Sequence, residues 1–329
     1  MTQPRTLLQQ TATSKTLALT TSPPPTPSHP TDHLIQVKAC SPCSGELLWP
    51  ANFPPPTPRT LIPCPDMAGT VISAPPDSPF KVGDAVYART NYTRPGNARD
   101  YTIAVTDELA LIPKGLSWVQ AAAVPVSAET AWQILFVHGV NSDGEGGGEV
   151  DWETARRFWG GKRVLVTAAS GGVGMWVVQL AVLLGAEVVG TCGSGNLEFV
   201  RSLGAMALDY RVVDLKDWAG SERKVDVVVD CVGGRALGDA WWTVRDGGVV
   251  LSIFQPPLMV RPEGIEGDVK DVFFVMQPVR RQLEEITKLI ERGSVGGWWI
   301  VFGLLSSMKR HSRGWMGVMQ RAKLFLIFH

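Results

Sequence analysis

The chain has 329 residues, 45% of them hydrophobic and 19% charged, with a mean hydropathy of +0.06. That describes a buried-core globular protein of about two domains and excludes a mostly disordered chain. Lys and Arg number 31, as do Asp and Glu, so the chain carries no electrostatic footprint for nucleic acid or for an anionic lipid surface.

Residues 22–80 are proline-rich (SPPPTPSHP, FPPPTPRTLIPCP, APPDSPF) and hold short apolar runs such as HLIQVKA at 33–39. Short strands bounded by proline predict an irregular β domain, not helices. Residues 81–87 (KVGDAVY) and 101–105 (YTIAV) extend that strand pattern. From Trp118 the texture changes to WVQAAAVPVSAETAWQILF, which predicts helix on both sides of Pro125. Residues 141–149 (NSDGEGGGE) have the composition of a flexible surface loop. Strand and helix runs then alternate: RVLVTAAS, MWVVQLAVLLG, AEVVGT, LEFVRSLGA, VDVVVDCVG and GGVVLSIF. Such alternation predicts an α/β fold built on a doubly wound parallel sheet with right-handed crossovers. Residues 282–293 predict an amphipathic helix ended by Gly293. No internal repeat is visible.

Residues 164–186 are free of charge and long enough to cross a bilayer. Gly171, Gly172 and Gly174 interrupt them, and a buried strand, tight turn and helix explain the run better, so no membrane partner is expected. The cysteines are Cys40, Cys43, Cys64, Cys192 and Cys231, too few and odd in number for a secreted disulfide framework. The first 21 residues show no apolar run of a signal peptide, so a cytoplasmic location is expected. Without secretion, the glycosylation pattern Asn91-Tyr92-Thr93 is a chance match.

The stretch that carries chemistry is VLVTAASGGVG at 164–174. Ala169, Gly171 and Gly174 stand at the spacing of the A/G-x-G-x-x-G dinucleotide fingerprint, directly after a β-branched strand and at the start of a helix. Small residues let the backbone approach a pyrophosphate, and the N–H groups of Gly172, Val173 and Gly174 point at it. The alternative is a tight βα turn in an unrelated α/β protein. An NAD site places an acid at the tip of the second strand for the ribose 2′-hydroxyl. Here that tip reads VVGTCGSGN, without an acid, and Ser194 and Asn196 can donate to a 2′-phosphate. NADPH is therefore expected over NADH.

Five segments together resemble the medium-chain dehydrogenase/reductase superfamily, specifically its zinc-independent quinone oxidoreductase and enoyl reductase branch. They are AASGGVG (168–174), VRSLGA (200–205), DVVVDCVGG (226–234), FKVGDAVYA (80–88) and AAAVPVSAETAW (121–132), and the resemblance runs over about residues 30–300. It implies a GroES-like β-rich catalytic domain, residues 1–130 and again 276–329, around a Rossmann domain at 131–275 with NADPH in the cleft. It further implies Thr130, Val232 and Phe254 on the nicotinamide side and Tyr210 on the adenosine side, beside Ser170 and Gly171 of the turn. A homodimer through the Rossmann sheet is compatible with the resemblance, while the sequence itself is silent on oligomeric state.

Zinc-dependent relatives carry a cysteine near Cys43, a histidine where this chain has Cys64-Pro65-Asp66, and a third ligand near Val126 and Ser127. The second and third positions hold no such ligand here, and the four-cysteine structural lobe is missing, so no metal is expected. Hydrogen-bond donors or the cofactor ribose must then polarise the substrate carbonyl. The branch often has Asn where Cys43 stands. Tyr92 is the candidate catalytic donor, with a packed loop aromatic as the alternative; Phe273 and Phe274 are read as pocket lining or as core. The expected reaction is hydride transfer from NADPH to a small-molecule quinone or to the β-carbon of an α,β-unsaturated carbonyl. The alternative is a catalytically silent NADPH-binding or interaction protein of the same fold.

The ending does not follow the family. A nucleotide string that encodes a family-like ending, EEAFARVDGGHAKGKVVLDF, encodes residues 309–328 in order when read one base later. The tail after about Leu305 is accordingly expected to be out of frame.

Overall fold

The computed structural model describes residues 3–141, 148–265 and 267–296. The tail after about Leu305, and all but the ends of the glycine-rich loop, lie outside those residues. The chain divides into two compact units, one running to Glu129 and resuming at Gln277, the other spanning Thr130–Met276.

The first unit holds strands β1 (Arg5–Gln9), β2 (Leu17–Thr21), β3 (Asp32–Ser41), β4 (Asp66–Ser73), β5 (Ala85–Arg89), β6 (Tyr101–Val105) and β7 (Leu109–Leu111). Among the described residues, β1 and β2 pair as an antiparallel ribbon, and the others form one antiparallel sheet in the order β6-β3-β4-β5-β7. Alternating burial along β3 points Ile35 and Val37 into a core with Met67, Val71, Val86 and Leu109, and Cys40 joins it past a register shift in the β3–β4 pairing. Helix α1 (Trp49–Asn52) lies between β3 and β4, α2 (Trp118–Ala122) follows β7, and α3 (Pro125–Gln133) runs from the end of this segment into the second unit. Proline at the first position of α3 costs the helix no hydrogen bond, so the predicted break at Pro125 is a helix start. Two expectations change. The N-terminal ribbon β1–β2 was not foreseen, and residues 81–84 form a turn ahead of β5: the Lys81 N–H donates to Asp84 at 2.7 Å, and Gly83 has φ +95°.

The second unit contains α4 (Trp152–Trp159), β8 (Arg163–Val166), α5 (Gly172–Leu183), β9 (Glu187–Cys192), α6 (Leu197–Ser202), β10 (Met206–Asp209), α7 (Leu215–Ala219), β11 (Val225–Asp230), α8 (Gly234–Trp241), β12 (Val244–Ser252) and β13 (Lys270–Phe273). Its six described strands are all parallel, in the order β10-β9-β8-β11-β12-β13. The chain starts at the middle and winds outward both ways, which is the doubly wound arrangement the alternation predicted. β8 is apolar because helices cover both faces of a parallel sheet. α5 is buried from Gly174 through Ala181, so its charge-free sequence is an interior helix. No described helix is long and apolar enough to cross a membrane. The amphipathic helix of the C-terminal part is α9 (Arg280–Glu291), closed by Gly293 at φ +67°.

Candidate functional site

The turn between β8 and α5 is built by small residues in forced positions. Ala168 sits in the left-handed region at φ +49°, which costs a residue with a Cβ about 1 kcal/mol, and its carbonyl accepts the Gly171 N–H at 2.7 Å. A Cβ on Gly174 would lie 2.2 Å from that same carbonyl oxygen, so only glycine lets the helix start this close to the strand. Gly190 of β9 is constrained in the same way by the Ala169 side chain, 2.5 Å from where its Cβ would be. The first N–H groups of α5 have no partner within the helix and carry the positive end of its dipole, an arrangement suited to a phosphate.

Asp230, at the end of β11, ties three strands together at this edge. Its fully buried carboxylate accepts from the Thr167 hydroxyl at 2.7 Å, the Ser252 hydroxyl at 2.8 Å, and the N–H groups of Gly233 at 2.8 Å and Val232 at 3.2 Å. The Thr167 and Ser252 oxygens in turn accept from the N–H groups of Cys231 and Phe254. One carboxylate thus sets the loops after β8, β11 and β12. Val232 and Phe254, 41% and 61% exposed, stand at the same carboxyl edge with their apolar side chains uncovered, a surface suited to a planar ring.

At the tip of β9 both polar residues of the sequence reading have protein partners. The Asn196 amide donates to the Ser170 hydroxyl at 2.9 Å, joining the tip to the phosphate turn. The Ser194 hydroxyl is engaged by Asp209 of β10, whose carboxyl is held below its ordinary value by the Arg211 N–H and by that hydroxyl. Tyr210 is 53% exposed, and the Arg211 guanidinium lies 5.1 Å from its ring centre. Sequence reasoning missed both Asp230 and Arg211. The signal for Arg211 was its place directly after Tyr210; for Asp230 it was the lone acid closing a β-branched run.

Thr130 is buried on α3, away in sequence from these edge loops. Tyr92 lies in the first unit. Its hydroxyl donates to the Phe53 carbonyl at 3.0 Å, Trp49 meets its ring edge-on at 5.7 Å and Arg59 covers it at 4.7 Å. Burial raises its hydroxyl above the ordinary value. Phe274 stacks on His138 at 3.9 Å and is buried, whereas Phe273 is 37% exposed.

The first unit also buries an incompletely paired charged cluster. Asp66 and Arg89 face each other across β4 and β5. Asp66 accepts the Val126 N–H at 3.0 Å, and Glu129 accepts the Val279 N–H at 2.9 Å through Oε1. Glu129 Oε2 and the Arg89 Nε and Nη1 groups are buried without a hydrogen-bond partner. Burial pushes both carboxyls well above the carboxylate range and lowers Arg89. Glu46 accepts from the N–H groups of Cys43 and Cys64, at 2.9 and 3.0 Å, and burial still raises it to about 7. Burial likewise drives the Cys43 thiol up, which opposes the thiolate a zinc ion needs. Among the described residues no three or more His, Cys, Asp or Glu side chains gather as a metal-ligand set. The donor set does not fit zinc.

Comparison with known proteins agrees with this architecture. The family described as zinc-binding dehydrogenase matches residues 172–254. A probable mitochondrial zinc-binding oxidoreductase of Arthroderma benhamiae is 48% identical over 292 residues, covering 87% of this chain and 85% of that protein. A chloroplast envelope quinone oxidoreductase homolog of Arabidopsis thaliana is 32% identical over 256 residues, covering 75% and 71%. The crystal structure of CurK enoyl reductase superposes with a TM-score of 0.72 over 98% of both chains at 21% identity, a likeness of fold. With the turn, the sheet order and these relatives together, the chain belongs to the medium-chain dehydrogenase/reductase superfamily.

Proposed function

We propose that this protein is an NADPH-dependent reductase of quinones or α,β-unsaturated carbonyl compounds that works without catalytic zinc. The observation that carries the reading is the carboxyl edge of the parallel sheet, where a glycine-built turn meets a strand tip with no acid of its own and an exposed Arg211. The residues fit a dinucleotide: the first N–H groups of α5 would hold the pyrophosphate, and Val232 and Phe254 would meet the nicotinamide. Arg211 would pair with a 2′-phosphate, its charge answering Asp209 beside it. When bound, the cofactor supplies the hydride. Asp230 holds the three loops in register and so fixes where the ring lies.

The relative named as a chloroplast envelope quinone oxidoreductase homolog supports the reading of the substrate class. The Tyr92 hydroxyl, engaged by Phe53, favours polarisation of the acceptor carbonyl by other donors, and beside Cys43 at the branch's polar position it supports the runner-up, a silent NADPH-binding protein. Titration with NADPH and NADH, followed by nicotinamide fluorescence, tests the cofactor. NADPH is expected to bind the tighter, and Arg211→Ala to weaken NADPH by about tenfold while leaving NADH unchanged. Equal affinities for the two would overturn the preference. A panel of quinones and enones then separates enzyme from binder: turnover supports the reductase, and tight NADPH binding without turnover supports the silent protein.

A further inference from the structure

Two loops of the first unit, residues 59–65 and 90–97, are fastened to each other by hydrogen bonds. The Gly96, Asn97 and Ala98 N–H groups donate to the carbonyls of Ile62, Cys64 and Pro63 at 2.9, 2.8 and 3.0 Å. The Asn97 side chain is fully buried, and its amide donates to the Pro65 carbonyl at 2.8 Å and the Thr90 hydroxyl at 2.9 Å. A Cβ on Gly96 would lie 2.4 Å from the Pro63 carbonyl oxygen, so only glycine lets the loops come this close. They share a cavity of about 30 Å³ with α1, and Trp49, Ile62, Tyr92, Glu46, Arg59 and Arg94 are among its walls.

The charges around this cavity do not balance. Arg94 pairs with Glu108. Both Glu46 oxygens accept main-chain N–H groups, and burial keeps the carboxyl protonated up to about pH 7. Among the described residues Arg59 has no ion-pair partner. Its guanidinium lies over the Tyr92 ring at 4.7 Å and gives Nη1 to the Thr60 carbonyl at 3.3 Å. The Nε groups of Arg59 and Arg94 are buried without a hydrogen-bond partner. A cation lacking a counter-charge and two unanswered donors at one cavity suit an acceptor that is itself negative. A water needs about 10–15 Å³, so the cavity has room for about two oxygens. That matches a carboxylate head and is too small for the four oxygens of a phosphate.

We propose that this cavity is a binding site for a small organic carboxylate, with Arg59 as its main cation and Arg94 beside it. The carboxylate meets the guanidinium fork, and the apolar body of the acid lies against Trp49 and Ile62. The site is contained in the first unit and stands whether or not the protein is a reductase.

The test titrates the full-length protein with benzoate by isothermal calorimetry at pH 6, where Glu46 is still protonated. Benzamide serves as the uncharged body of the same shape and phenyl phosphate as the larger anion. Benzoate is expected to bind at least tenfold tighter than either and to weaken as salt rises. Arg59→Gln should weaken benzoate at least tenfold and leave benzamide unchanged. Arg59→Lys, which keeps the charge and loses the fork, should fall between that variant and the native protein. Circular dichroism establishes that each variant is folded, and the conservative lysine variant carries the test should the glutamine variant be unstable. Three results would each overturn the proposal. They are no benzoate binding at about 10 mM, which leaves water as the only occupant, benzamide or phenyl phosphate binding as tightly as benzoate, and benzoate affinity unchanged in the folded Arg59 variants.

Discussion

Each unit buries acidic groups, and they are handled in opposite ways. In the parallel-sheet unit Asp230 is fully enclosed yet meets four donors, all at one edge of the sheet. In the antiparallel unit Asp66 and Glu129 each take a single backbone N–H, and Glu129 Oε2 and two Arg89 nitrogens have no partner. A complete network fixes geometry, while an incomplete one stores unspent polar capacity. The parallel-sheet unit thus fixes its loops with a complete network, while the antiparallel unit keeps buried carboxyls that burial holds above their ordinary range. The sharpest break of this contrast is Asp230→Ala. It leaves the buried Thr167, Ser252 and Gly233 donors without their acceptor and should cost about 4 kcal/mol in chemical denaturation, with nucleotide affinity lost alongside. A cost under 1 kcal/mol would mean that the network is decoration.

The antiparallel unit should show its difference through pH. Glu46 has an ordinary value of 4.5 and is raised to about 7 by burial, against the opposing pull of two N–H donors and Arg59. Below about 4.5 its carboxyl is protonated in both states. Between about 4.5 and 7 the unfolded chain releases the proton and the folded chain keeps it, so the contribution is lost as pH rises through that window. His33 acts with the opposite sign, its ring held below the ordinary value by burial, so the native protein alone would mix the two. The difference in unfolding free energy between the native protein and Glu46→Gln removes His33 from the comparison. It should fall by about 3 kcal/mol from pH 4.5 to 7. A flat difference would show that Glu46 is ionised throughout.

How far this contrast was legible in the sequence follows from how local each signal is. The turn at 168–174, the parallel alternation and the helix break at Pro125 are written in neighbouring residues, and the fold follows them. The β1–β2 ribbon and β13 are not. They are short or solvent-facing strands whose pairing comes from residues elsewhere in the chain, and Leu19 and Phe273 leave one face open. Polar partnerships were the least legible part. Ser194 and Asn196 read as phosphate donors, and the fold gives each a protein partner that the sequence did not show, Asp209 and Ser170. Side-chain hydrogen bonds join residues 15 to 26 positions apart here, and spacing along the chain carries no record of them.

The finest division falls within the turn itself. Gly171 and Gly174 are both fingerprint positions, but their surroundings are unequal. A Cβ on Gly171 would sit 3.1 Å from the Ala168 carbonyl oxygen, which a small shift relieves; φ there is −83°, open to any residue. A Cβ on Gly174 would sit 2.2 Å from that oxygen and 2.9 Å from the Ala168 carbonyl carbon and the Ala169 Cα, all backbone. Gly174→Ala must therefore move α5 away from β8 and displace the N–H groups that would face the pyrophosphate. It should cost about 2 kcal/mol in stability and at least tenfold in nucleotide affinity. Gly171→Ala should cost about 0.5 kcal/mol and two- to threefold in affinity. Isothermal titration of both variants against NADPH reads the ratio directly. Equal losses would mean that the phosphate needs both glycines for its own approach, whereas the unequal losses expected here assign Gly174 to helix–strand packing and leave only the closeness of Gly171 to the ligand.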